Sequence, residues 1–230
     1  MKRFYKDVTV AARGGAFEVR LDGKPVRTPL KNVLALPTRA LAEAVAEEWE
    51  SRGENFDPAG MQMTRFANAT IDRQAKHAGA LAQNILKFGA SDLVCYRAEE
   101  PELAERQREE WDAILDWLTE RYGVTLAVTT GIKPIEQSQD TLARLGEVVA
   151  GFGGYALTAL HSAATIMGSL VLALALVEGR LTAGEAFRLS CIDEAHQAAK
   201  WGKDHAAFQR AERLAEELKA AETLLRLSRA

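Results

Sequence analysis

The stretch FEVRLDGKPV, residues 17–26, decides the fold class of the first third of the chain. Apolar and polar residues alternate over its first five positions, which is the period of a strand with one buried face. Asp22-Gly23 then supplies a residue pair that favours a tight hairpin turn. Val8-Thr9-Val10 shows the same alternation on the other side of Gly14-Gly15. These features predict a β-meander near the N-terminal end.

The strand pattern gives way to a helical pattern after Pro37-Thr38. Between residues 39 and 52, apolar side chains recur at every fourth position, which places them on one face of a helix. The residues of this face are Leu41, Val45 and Trp49.

From residue 65 onward nearly the whole chain has helical periodicity. Residues 124–128, VTLAV, alternate instead and predict one late strand, which could rejoin the first sheet. We therefore predict an α+β fold, with a small β-rich N-terminal domain of residues 1–65 and a larger, mostly α-helical domain of residues 66–230 that forms an orthogonal bundle. The predicted helices cover residues 66–88, 102–122, 138–149, 156–177, 182–202 and 203–227.

The charge of the chain argues against nucleic acid as a partner. Its 230 residues include 29 Lys and Arg against 32 Asp and Glu, so there is no net basic field to attract phosphates. A basic, aromatic sheet motif of the kind that binds RNA is also missing from the sequence.

The uncharged segment of residues 148–177 resembles a membrane span at first sight. Glycine, serine and histidine interrupt it, and its purely apolar part, residues 170–177, is much shorter than the roughly 20 residues that a span needs. We expect a buried helix and no stable membrane insertion. The opening residues 1–7, MKRFYKD, show no signal or transit peptide pattern, so we expect a bacterial cytoplasmic protein.

Catalytic motifs are absent or out of context. Residues 193–196 spell DEAH, but no GxxxxGK[ST] phosphate-binding loop accompanies them. The four histidines lack metal-ligand spacing, so we predict no metal site, no cofactor and no catalytic residue. Cys95 and Cys191 are far apart and read as reduced thiols. A thiol-dependent cytosolic enzyme that uses one of them is the alternative hypothesis.

One polar stripe stands out on the helix predicted near residue 194. Glu194, Gln197 and Trp201, followed by Asp204 or His205, recur at spacings of three and four and share a face. Such a face is either a solvated surface with a tryptophan at its edge, or a contact patch for a protein in which carboxylates flank an aromatic anchor. Asp193 and Lys200 flank the stripe.

Several blocks in this order resemble the F(1)-ATPase assembly chaperones of the ATP-twelve (ATP12) family. The likeness spans nearly the whole chain, and the blocks CYRA and WGxD are the most specific of them. The matching blocks are residues 3–6, 21–29, 46–49, 61–65, 91–98, 168–173 and 193–204.

The resemblance implies a chaperone without enzyme activity that binds the free alpha subunit of the ATP synthase catalytic head until a beta subunit takes its place. We expect a monomer. In this family an acidic residue of the helical region is tied to function, and the matching position here is Glu194. Two positions depart from the pattern, with Gln62 in place of proline and His196 in place of a large aromatic residue. The predicted partner-binding residues are Glu194, Asp193, Gln197, Trp201 and Asp204.

Overall fold

The computed structural model of this chain describes residues 2–74, 78–202 and 204–229. They form an α+β fold, as predicted, in which short strands are followed mostly by helices. The strands are β1 (Val8–Arg13), β2 (Ala16–Leu21), β3 (Lys24–Pro25), β4 (Ala35–Leu36), β5 (Tyr96–Arg97) and β6 (Thr129–Thr130). The helices are α1 (Arg39–Glu50), α2 (Gln62–Gln74), α3 (Ala78–Ala90), α4 (Pro101–Tyr122), α5 (Gln139–Ala150), α6 (Gly154–Met167), α7 (Leu170–Val177), α8 (Ala183–Ser190), α9 (Ile192–Trp201) and α10 (His205–Ser228).

The chain divides into two compact units. The first comprises Met1–Ala78 together with Thr223–Ala230, and the second is Gly79–Glu222. The sequence prediction set a boundary after residue 65, whereas the structure groups the whole of α2 with the first unit. The physical reason is a cap, because the carboxylate of Glu48 in α1 binds the free N–H groups at the N-terminal end of α2.

The predicted β-meander lies in the first unit and centres on β2. This strand pairs antiparallel with β1, β3 and β4. Gly14 and Gly15 turn the chain between β1 and β2 with φ angles of 59° and 81°, which glycine adopts without steric cost. Val19 and Leu21 of β2 are buried, and α1 contacts both β1 and β2. The sheet and α1 therefore share one core.

The predicted helix of residues 156–177 is interrupted in the structure. Gly168, with a φ of 64°, ends α6, and the hydroxyl of Ser169 accepts a hydrogen bond from the N–H of Leu172 at 3.0 Å to begin α7. Asp92 contributes a second cap from elsewhere in the chain, since its carboxylate accepts from the N–H of Val171 at 3.0 Å. All eight residues of α7 are buried, so the expectation of a buried helix is confirmed there.

The predicted helix of residues 182–202 is likewise two helices, α8 and α9, with Cys191 between them. The indole N–H of Trp111 donates a hydrogen bond to the carbonyl oxygen of Leu189 at 2.9 Å. In an uninterrupted helix, that carbonyl would accept from the N–H four residues later. At the end of α8, the indole of Trp111 from α4 thus replaces a main-chain N–H as the donor to Leu189.

The predicted late strand at residues 124–128 does not form. Val124 and Leu126 are buried, which explains the alternating pattern, but the main chain there pairs with no strand in the part of the chain that the structure describes. Instead the side-chain amide of Gln137 pairs with both the N–H and the carbonyl of Ala127, at 2.8 and 2.9 Å. The strand that forms is β6 just beyond, and it pairs in parallel with β5, not with the first sheet.

The remaining helix predictions differ from the structure mainly at their ends. The helix predicted at 66–88 corresponds to α2 and α3, and residues 75–77 lie outside the described residues. The last predicted helix began at residue 203, which also lies outside them, and α10 begins at His205. None of the helices in the described part of the chain is both long enough and apolar enough to cross a membrane.

Candidate protein-binding surface on helix α9

Three of the predicted binding residues share an exposed face of α9. Glu194, Gln197 and Trp201 follow one another at spacings of three and four residues, which aligns them along the helix. All three are exposed, and Trp201 leaves 75% of its surface open to solvent. We call these three residues the outer stripe.

Asp193 belongs to a different side of the same helix. Its carboxylate accepts a hydrogen bond from the side-chain amide of Gln107 in α4 at 2.7 Å. Asp193, His196 and Lys200 also recur at three and four residues, and all three bind side chains near the start of α4. We call them the anchor stripe. Asp193 is therefore engaged within the second unit.

Glu100 is the partner of the other two residues of the anchor stripe. Its carboxylate lies 2.5 Å from the Lys200 ammonium and 3.2 Å from Nε2 of His196. The hydrogen bond from Lys200, and with it that from His196, holds the pKa of Glu100 below its usual value. His196, one of the two departures from the family pattern, thus faces α4 and leaves only 14% of its side chain exposed.

Asp204 lies beyond the end of α9, in the connection to α10. Its side chain accepts a hydrogen bond from the N–H of Ala206 at 2.8 Å, and its carbonyl accepts from the N–H of Phe208 at 3.0 Å. This is the geometry of a residue that caps a helix N-terminus. Asp204 is exposed, as is His205 after it, so both remain accessible beside α9.

Sequence reasoning missed the residues of α4 that support α9. Gln107 is fully buried and Trp111 nearly so, while Glu100 stands just before the helix. Gln107 and Asp193 are 86 positions apart, so no local periodicity relates them. The sequence carried no local signal for them, and only the structure shows that Ala98 of the CYRA block donates its N–H to Gln107 at 2.7 Å.

The two cysteines are poorly suited to nucleophilic chemistry. Burial, with a further contribution from the Asp92 carboxylate, raises the pKa of the Cys95 thiol to about 12. Burial also raises the pKa of the Cys191 thiol. A thiol reacts as its thiolate, so neither group is activated near neutral pH. In the described part of the chain, no group of three or more histidine, cysteine or acidic side chains could hold a metal ion.

An exposed tryptophan beside a carboxylate, as on the outer stripe, is a composition common in protein-binding surfaces. Comparison with known proteins identifies the family of this chain. The family model described as "ATP12 chaperone protein" matches residues 2–119. The chain belongs to the ATP12 chaperone family.

Relatives match the chain over most of its length. The mitochondrial protein atp12 of Schizosaccharomyces pombe is 22% identical over 214 residues, which cover 87% of this chain and 74% of that protein. The crystal structure of Atp12 from Paracoccus denitrificans is 39% identical, with a TM-score of 0.93 over 99% of this chain and 98% of that one. An aspartate-to-lysine mutant of the same Paracoccus protein matches with the same identity and TM-score, over 99% of this chain and 97% of that one. A protein of Agrobacterium tumefaciens is 41% identical, with a TM-score of 0.91 over 98% of this chain and 85% of that one.

Proposed function

We propose that this chain is a chaperone of ATP synthase assembly, which binds the free alpha subunit of the catalytic head until the beta subunit displaces it. Membership of the ATP12 chaperone family supports the chaperone role. The alpha subunit as client follows from the resemblance of the sequence blocks. The observation that carries a binding role is the outer stripe, an exposed helix face of Glu194, Gln197 and Trp201.

The outer stripe has the composition of a protein-binding hot spot. A tryptophan that is 75% exposed keeps a large apolar area in water, which is unfavourable until a partner covers it. Glu194 adds a negative charge that selects a partner with basic residues at the matching place. Gln197 lies between them and can both donate and accept hydrogen bonds.

The proposed client needs such cover. A subunit that awaits assembly exposes the apolar surface meant for its neighbour, and surfaces of this kind promote aggregation. Release requires no nucleotide hydrolysis if the chaperone binds alpha more weakly than beta does, because beta then displaces it by mass action. We place this activity in a bacterial cytoplasm, in keeping with the two bacterial species among the solved relatives.

The test is light scattering of freshly diluted alpha subunit, alone and with this protein, with beta subunit as a second client. We expect suppression of alpha aggregation and no effect on beta. The variant Glu194→Lys reverses the charge of the outer stripe and is expected to abolish the suppression. Glu120→Lys is the matched control, because Glu120 is an exposed glutamate at the C-terminal end of α4. Normal alpha binding by Glu194→Lys would refute the proposed contact.

A further inference from the structure

Gln107 is a fully buried polar residue whose side-chain amide is used at both ends. Its Oε1 accepts the N–H of Ala98 at 2.7 Å, and its Nε2 donates to Oδ1 of Asp193 at 2.7 Å. The N–H of Ala98 can only donate and the carboxylate of Asp193 accepts, so the two partners fix which way the amide points. Gln107 therefore directs an N–H donor at the first turn of α9.

Helix α9 needs such a contact because it does not continue α8. The break at Cys191 removes the hydrogen bonds that would make the two helices one rigid rod. The direction in which α9 turns its side chains must then come from tertiary contacts. Along the anchor stripe these contacts are Gln107 at the first turn and Glu100 further along the helix.

Gln107 is itself held in place by Arg97. The guanidinium of Arg97 donates to the carbonyl of Gln107 and to Asp112, both at 2.7 Å. The same guanidinium lies over the ring of Trp111, 5.1 Å from its centroid. Trp111 in turn binds the carbonyl of Leu189 at the end of α8. The same cluster of side chains therefore binds the end of α8, through Trp111, and the first turn of α9, through the amide of Gln107.

The outer and anchor stripes are related by one residue step. Positions 194, 197 and 201 each follow the anchor positions 193, 196 and 200, and one residue corresponds to about 100° around a helix. Whatever holds the anchor stripe therefore sets the direction of the outer stripe. We propose that Gln107 is a positioning residue for client binding, which holds Asp193 so that Glu194, Gln197 and Trp201 face the client. This inference rests on the proposed function.

The first test replaces the amide by an apolar group of similar size, in Gln107→Leu. Gln137→Leu is the matched control, since Gln137 is also a buried glutamine of the second unit whose amide binds main-chain groups, those of Ala127. Affinity for alpha subunit is measured at a temperature where circular dichroism shows both variants to be folded. We expect Gln107→Leu to bind about ten-fold more weakly than Gln137→Leu. Equal affinities of the two variants would overturn the inference.

The second test exchanges donor and acceptor. Gln107→Glu alone sets one carboxylate against another and is expected to lose binding. Adding Asp193→Asn restores a hydrogen bond, with the new amide donating to the new carboxylate while Ala98 keeps its acceptor. Recovery of alpha binding in the double variant supports a positioning role, because an overall loss of packing would not be reversed by this exchange.

The two proposals fail in different ways. If Glu194→Lys binds alpha normally, the proposed client contact is wrong. If Glu194→Lys loses binding while Gln107→Leu binds as well as Gln137→Leu, the client contact stands and only the positioning role is refuted.

Discussion

The carboxylate of Glu48 accepts two hydrogen bonds from Thr64, one from its main-chain N–H and one from its hydroxyl, both at 2.8 Å. It also accepts the N–H of Met63 at 2.7 Å. The first N–H groups of a helix lack main-chain acceptors, and the helix dipole is positive at that end. A carboxylate there accepts hydrogen bonds from these N–H groups and interacts favourably with the dipole. Gln62, one departure from the family pattern, is the first residue of this helix, α2, and proline is also well tolerated at that position of a helix.

Removal of this cap should destabilise the first unit. We expect Glu48→Ala to lower the free energy of unfolding by about 2–3 kcal/mol, because three hydrogen bonds to one charged group are lost. Urea denaturation followed by circular dichroism measures this. Glu43→Ala in the same helix is the control, since Glu43 forms an exposed ion pair with Arg39 and its removal should change stability by less than about 0.5 kcal/mol.

The buried carboxyl of Asp92 should make stability depend on pH. Burial raises the pKa of Asp92 from 3.8 to about 6, although its hydrogen bonds from residues such as Ser169 and Val171 oppose this. The folded chain thus keeps a proton, between about pH 4 and 6, that the unfolded chain releases. The stability contributed by this group is complete below pH 4 and is lost as the pH rises through 6.

This pH dependence can be isolated with Asp92→Asn, which cannot titrate. We expect the wild type to lose stability relative to the variant between pH 4 and 7, by about 3 kcal/mol at most. Unfolding curves in urea at several pH values give the comparison. Parallel curves for the two proteins would contradict the raised pKa.

A close approach at Gly89 leaves no room for a side chain. A Cβ atom there would lie 2.9 Å from Cδ1 of Leu145 and 3.0 Å from Cδ2 of Leu170, and both leucines are fully buried. We expect Gly89→Ala to lower the unfolding free energy by about 1 kcal/mol, since overpacking outweighs the better helix propensity of alanine.

Gly79→Ala in the same helix is the control for this effect, because a Cβ at Gly79 would have no atom of the described residues within 4 Å, apart from its chain neighbours and its own helix backbone. It should leave the protein equally or slightly more stable, by about 0.5 kcal/mol. Thermal unfolding of the two variants side by side tests the difference. Equal effects would show that the leucines make way for the added methyl group.

The exposed tryptophan should matter for the client and not for folding. We expect Trp201→Ala to change the unfolding free energy by less than about 0.5 kcal/mol and to weaken alpha binding about 30-fold, the loss typical of an aromatic hot spot. Titration calorimetry with alpha subunit measures the affinity. Ile132→Ala is the control, because Ile132 is also a large apolar side chain, 97% exposed, and should leave binding unchanged.

The thiols should be unreactive in the folded protein. Because burial raises the pKa of Cys95 to about 12, we expect iodoacetamide to leave it unmodified at pH 8 until urea unfolds the chain. Mass spectrometry of the digested protein reports each cysteine separately. Cys95→Ser should keep alpha binding. Rapid modification of Cys95 in the native protein would instead favour the alternative of a thiol-dependent enzyme.

Local patterns predicted the features that depend on neighbours in the sequence. The β1–β2 hairpin was predicted because alternation and the glycine pairs act within a few residues. The outer stripe was predicted for the same reason, since Glu194, Gln197 and Trp201 lie within two turns of one helix.

Tertiary contacts decided where this local pattern stops. Residues 124–128 alternate like a strand, yet Gln137 takes both main-chain hydrogen bonds of Ala127. The helix predicted across Gly168 and Ser169 breaks where Asp92, 79 residues before Val171, caps α7. An apolar pattern reports burial, and it cannot report which distant group binds the main chain.

The same division holds for the binding surface. The sequence by itself determined which side chains of α9 share a face, because a helix repeats every 3.6 residues whatever surrounds it. Only the tertiary structure showed that Asp193 turns inward and Glu194 outward, since Asp193 binds Gln107, 86 residues away. Rotation of a helix about its axis costs nothing in its own hydrogen bonds, so contacts with other elements determine it.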